Sequence, residues 1–338
     1  MKTLRRTISS LSLFLLAACA SGTPPSESLT PVPPRVDEAA VPQEGVDYAV
    51  YRSDGSSASL VDVLSDLDTV EVLLFGEEHD DVVGHRIQLE VFRRLLAGVG
   101  GRGPMATPGA PGSAAPGGLD DDELRDVRLS LEMFERDVQI VLDEYLADLI
   151  TEDHFLASAR PWDNYDRDYR PMVELAKHVE VPVIAANAPR RYVNRASRLG
   201  RGALDALSDE ARAWLPPLPY PEASDPYRAE WDGLMGDAAM HMSGDPLDGQ
   251  TLWDASMGES IVRTLEADGP FPPLVFHLAG GFHVENGTGI PETIQHYRPG
   301  TSVRSVAVRA VSDPSSFDTE MAGAGDYVIL TRDPEGEG

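Results

Sequence analysis

Val70-Glu71-Val72-Leu73-Leu74-Phe75-Gly76-Glu77-Glu78-His79-Asp80-Asp81 has the form of a buried strand that ends in polar chemistry. Its apolar run is bounded by Asp68 and Thr69 on one side and Gly76 on the other, the pattern of a central strand. Asp80 and Asp81 can cap a following helix, whose apolar positions include Val83, Ile87, Leu89 and Phe92. Strand, glycine turn and helix together predict an α/β fold with a mostly parallel sheet flanked by helices. In such sheets ligands bind outside the carboxyl ends of the strands, where Glu77, Glu78 and His79 would lie.

A single motif of this kind could merely close a turn and cap a helix. Recurrence argues for more. A second strand-like run, Leu274 to Ala279, ends in Gly280-Gly281-Phe282-His283, again Gly-x-x-His, and a third, Val127 to Leu131, ends in Glu132. Glu78, His79, Glu132 and His283 are therefore expected to converge as a candidate catalytic cluster, or, with His79, Glu132 and His283 as ligands, as a zinc or manganese site.

At the amino end, Lys2, Arg5 and Arg6 precede the apolar segment Leu11 to Ala18, too short for a membrane span and typical of a secretory signal over residues 1–18. Leu16-Ala17-Ala18-Cys19 reads as a lipobox, so Cys19 is the expected lipidation site, and Ala20 after it points to the outer membrane of a Gram-negative cell envelope. Cys19 is the only cysteine, which excludes an intramolecular disulfide and a catalytic thiol. Residues 19–45 are rich in Pro, Ser, Thr and Glu and read as a disordered tether. The domain is expected over 46–331, with a disordered Gly/Pro/Ala/Ser insertion at 98–118, a helical insertion at 208–268 over the carboxyl edge of the strands, and a polar tail at 332–338.

Lys and Arg number 28 against 56 Asp and Glu, a formal net charge of −28. Loss of Lys2, Arg5 and Arg6 with the signal leaves 25 against 56, or −31. Such a surface repels nucleic acid and anionic headgroups, so membrane attachment must come from the lipid. Further along, Val138 to Ile150 has helical spacing. Arg160 to Pro171 is dense in aromatic and charged groups, and the Met and aromatic stripe between Tyr227 and Leu265 is expected to be largely core.

Six blocks in order carry a resemblance: Gly76 to His79, Leu131 to Phe134, Pro161 to Pro171, Asn187 to Arg190, Trp253 to Met257 and Gly280 to Pro291. Over about Ala49 to Arg309 the chain resembles the ChaN family of haem-binding lipoproteins, which belongs with the Tiki, TraB and erythromycin esterase-like proteins. The resemblance implies non-covalent haem binding for iron uptake, with haem held through tyrosine between the protomers of a homodimer. It makes Tyr165 and Tyr169 the candidate haem ligands, with His241 as a further cofactor contact. No Cys-x-x-Cys-His is present for covalent attachment. The esterase and Tiki branches imply the alternative, a metal-dependent or Glu/His-based hydrolase. The chain departs from the family in its 98–118 insertion and its acidity.

Overall fold

The structure, a computed structural model, describes residues 41–98, 125–236, 244–269 and 271–333. The signal segment, Cys19, His241, nearly all of the tether and of the 98–118 insertion, and the end of the tail lie outside them. The strands are β1 (Tyr48–Arg52), β2 (Ser57–Ala58), β3 (Val72–Glu77), β4 (Asp126–Glu135), β5 (Val183–Asn187), β6 (Pro273–Gly280), β7 (Val303–Val311) and β8 (Tyr327–Arg332). The helices are α1 (Leu60–Ser65), α2 (Val82–Ala97), α3 (Gln139–Leu146), α4 (Glu152–Ala159), α5 (Tyr165–Asp168), α6 (Arg170–His178), α7 (Arg190–Leu199), α8 (Asp209–Arg212), α9 (Asp225–Met235), α10 (Pro246–Glu266) and α11 (Ile290–Tyr297).

The strands form one sheet in the order β2-β1-β8-β7-β3-β6-β4-β5. From β8 to β5 every pairing is parallel; β1 joins β8 antiparallel and β2 closes that edge. The apolar runs that predicted buried strands are buried on both faces, as a parallel sheet between two helical layers requires. Leu73 and Phe75 of β3 pack with Phe276 and Leu278 of β6 and with Ile87, Val91 and Phe92 of α2. The alternate residues Val72, Leu74, Val275 and Ala279 face Met257 and Ile261 of α10 and Ile294 of α11.

Three expectations are modified. The helix read over 138–150 ends at Leu146: Asp148 adopts a left-handed φ of 56°, a conformation Asp tolerates, and the chain restarts as α4. Residues 208–268 are helical with the interruption their prolines predict, since the Pro216 to Pro221 stretch separates α8 from α9. Against expectation, α10 covers a sheet face rather than the carboxyl edge, and its Met257, Ile261 and Leu265 are core. α9 is the part beside the edge, its Tyr227 and Trp231 rings lying 5.1 and 5.8 Å from Phe282. β4 also continues past Glu132 to Glu135, and its register with β5 shifts between Leu131 and Glu135.

Candidate functional site

Register brings the strand ends together. Glu77 of β3 lies opposite Gly280 of β6, and the β4–β6 ladder stops at Leu131 opposite Leu278. Beyond that point the Glu132 carboxylate takes the place of a ladder partner, accepting the Gly280 amide at 2.7 Å. Two glycines permit the close approach. A Cβ on Gly76 would stand 3.1 Å from the Cα of Gly281, and one on Gly280 would stand 3.0 and 3.1 Å from Cε1 and Nε2 of His79.

His79 is held from several sides. Its Nδ1 pairs with Oε1 of Glu77 at 3.0 Å, Asn164 donates to its carbonyl at 2.7 Å, and the Trp162 indole meets its ring edge-on at 4.8 Å. Glu77 is buried, and it also accepts from Gln88 Nε2 and from the Tyr169 hydroxyl, each at 2.5 Å. His85 completes this layer, bonding Gln88 at 3.0 Å and the His79 carbonyl at 3.1 Å. The bond to Glu77 raises the His79 pKa against the lowering effect of burial, and the Glu132 charge adds to the rise. With Nδ1 fixed by a carboxylate, Nε2 lies beside Gly280 on a side chain that is 48% exposed. An imidazole oriented by a carboxylate in this way is suited to ligation or to general base work.

His283 is the buried counterpart. Its Nδ1 lies 2.6 Å from Asp254 of α10, and its Nε2 lies 3.7 Å from Glu132 and 3.2 Å from Gln250. Burial alone would lower its pKa, but the Asp254 and Glu132 charges outweigh it and push the imidazole up to about 9. The other Asp254 oxygen accepts from the Tyr227 hydroxyl. His283 therefore lies between two carboxylates that favour its protonated form.

The structure thus brings His79, Glu132 and His283 together around Gly280, while Glu78 turns elsewhere. Along a strand alternate side chains face opposite sides. Glu77 shares the α2 side with Phe75, whereas Glu78 lies beside Arg309 at 4.0 Å and accepts weakly from the Ala310 amide at 3.4 Å. Burial raises the Glu78 pKa. Among the described residues no group of three or more His, Cys, Asp or Glu side chains is disposed to hold a metal ion, so the geometry lends no support to the zinc or manganese reading.

Tyr165 and Tyr169 are core residues, 3% and 0% exposed. Burial pushes both phenols well above their ordinary range, and the Glu77 charge pushes Tyr169 further. Tyr165 has no hydrogen-bond partner, and Tyr169 donates to Glu77. Neither phenol reaches the surface in this conformation, and neither environment favours a phenolate. The Pro161 to Pro171 segment instead braces the His79 turn through Trp162, Asn164 and Tyr169.

Sequence reasoning placed Glu77 at the strand end but took Glu78 rather than Glu77 as the working carboxylate. The alternation from Phe75 could have decided between them. It also missed the Asp254 to His283 pair, for which no spacing signal exists across 29 positions.

A family model described as haem-binding uptake, Tiki superfamily, ChaN matches residues 63–294. The solved structure of ChaN from Campylobacter jejuni, described as binding haem cofacially, is similar in fold at 17% identity, covering 86% of this chain and 99% of that one with a TM-score of 0.59. A structure described as "Bacterial protein toxins" aligns at 15% identity over 82% of this chain and 39% of that one, with a TM-score of 0.38 that carries no argument. No curated protein sequence matches the chain.

Proposed function

The chain belongs to the ChaN family of the Tiki superfamily, and on that premise we propose that it binds haem non-covalently at the carboxyl edge of its sheet and serves haem uptake. The family match over residues 63–294 carries this reading. The donor set fits the group at His79 better than at the tyrosines. Its ring is half exposed, its Nδ1 is anchored on Glu77, its Nε2 has no protein hydrogen bond, and Trp162 supplies an aromatic flank. In the proposal Nε2 of His79 meets the iron, with Glu77 setting its orientation and tautomer. Haem held between two protomers, attachment to the outer membrane through a lipidated Cys19 and location in a bacterial cell envelope complete the proposal. No described helix is long and apolar enough to cross a membrane.

The test is an optical titration of the protein with hemin. A Soret band saturating at stoichiometric haem is expected, and His79→Ala should weaken hemin binding at least tenfold and alter the band. A free-hemin spectrum from the wild-type chain would end the haem reading; a His79→Ala titration identical to wild type would end only the assignment of the ligand. Sedimentation with and without hemin tests the dimer.

One observation favours a second reading. A carboxylate-oriented imidazole with an open Nε2 is also a general base, with Glu132 and His283 beside it, which makes a hydrolase of the erythromycin esterase or Tiki type the alternative. Hydrolysis of p-nitrophenyl acetate by the wild type at no more than the rate of the His79→Gln variant would exclude it.

A further inference from the structure

Between β5 and α10 lies a cleft of about 400 Å³ that shares no lining residue with the strand-end cluster. Three of its side chains are arginines, in a chain whose net charge is −28. Arg128 is fully engaged: Nε and Nη2 reach Asp126 at 3.2 and 2.7 Å, and Nη1 donates to the Thr264 carbonyl at 2.7 Å. Arg136, only 5% exposed, donates through Nε to Ser260 at 2.9 Å and through Nη2 to Glu259 at 2.6 Å and to the Ser256 carbonyl. Its Nη1 is buried without a hydrogen-bond partner. Arg263 is 64% exposed at its side chain and only 3.9 Å from Glu259.

The charges around the cleft are therefore unbalanced. Three guanidinium groups face two carboxylates, Asp126 and Glu259, leaving one positive charge in excess. A buried guanidinium nitrogen with no acceptor is costly to maintain, and the excess positive charge beside it is one that an anion in the cleft would balance. The opposite wall is apolar, built from Pro182, Ile184 and Trp214, and Trp214 is 37% exposed there although it is a large aromatic. The volume falls within the range of about 300–1,000 Å³ usual for small-molecule sites.

We propose that this cleft binds a small amphipathic monocarboxylate, its carboxylate on the exposed Arg263 guanidinium, beside the buried charge of Arg136, and its apolar body against Trp214 and Ile184. One excess charge suits a monoanion rather than a dianion such as phosphate, and the apolar wall selects for a hydrocarbon body.

Benzoate serves as the probe, with calorimetry and saturation-transfer NMR on the full chain at low salt. One-to-one binding is expected, weakened at least tenfold by Arg263→Gln and by Trp214→Ala. Both side chains are exposed enough for the variants to fold, which melting curves would verify. Benzamide, of the same shape without the charge, should bind at least tenfold more weakly than benzoate. Absence of benzoate binding to the wild type, or undiminished binding by both folded variants, would overturn the assignment. So would inorganic phosphate binding as tightly as benzoate, or displacement of benzoate by one equivalent of hemin, which would make the cleft the haem's own site.

Discussion

Two buried histidines shifted in opposite directions should give this protein a peaked dependence of stability on pH. His283 is held up to about 9 between Asp254 and Glu132, against an ordinary value of 6.5. A raised folded-state pKa means that its stabilisation is fully present below pH 6.5 and is lost as the pH rises through 9. At about 1.4 kcal/mol per pH unit the shift corresponds to about 3 kcal/mol. His277 behaves oppositely: fully buried on β6, with Nδ1 on the Ser130 hydroxyl at 2.8 Å and no partner for Nε2, it is pushed by burial down to about 3. Below pH 6.5 the unfolded imidazole takes up a proton that the folded one refuses, so stability falls on the acid side as well. Urea unfolding from pH 5 to 10 should therefore peak near pH 6.5. The stability difference between wild type and His283→Gln should shrink by about 3 kcal/mol between pH 6.5 and 9. Parallel curves for the two proteins across that window would refute the placement of a buried imidazolium between Asp254 and Glu132.

The two core tyrosines should separate cleanly. Tyr165→Phe removes a hydroxyl that has no partner and should leave the melting temperature unchanged or raised, whereas Tyr169→Phe leaves Glu77 short of a donor and should cost about 1–3 kcal/mol in urea unfolding. Hemin titrations of both variants should match wild type, and a loss of affinity in either would restore the phenol as ligand. Gly280→Ala places a methyl 3.0 Å from the His79 ring, so hemin affinity should fall while a melting curve shows an intact fold. Cys19→Ala should release the chain from the membrane fraction; continued attachment in high salt would refute the lipid anchor.

The central strands were legible because parallel strands buried on both faces leave uninterrupted apolar runs, as in Val72 to Phe75 and Leu274 to Ala279. The convergence of His79, Glu132 and His283 followed from the same fact, since every parallel strand delivers its carboxyl end to one edge. What escaped the sequence was which side of a strand a polar residue faces and what meets it from elsewhere in the chain. Glu77 and Glu78 are neighbours with different surroundings, decided by one step of the pleat. Asp254 finds His283 only through the packing of α10 on the sheet. The aromatic density around Tyr165 and Tyr169 was visible, but the choice between core and ligand was not, because aromatic side chains serve a core and a ligand surface equally well.

The pairing of β1 with β8 has a consequence for how the chain is made. Tyr48 lies opposite Thr331, so the first strand of the domain finds its partner only when β8, far along the chain, has been synthesised. Closing so long a loop is slow, and until β8 is in place β7 presents an open edge. In the proposed export from its amino end, the chain could not complete its sheet midway, which would keep it threadable. Ribosomal stalling or proteolysis before Tyr327 would leave that edge exposed to other strands, so such fragments should aggregate rather than persist as a shortened fold.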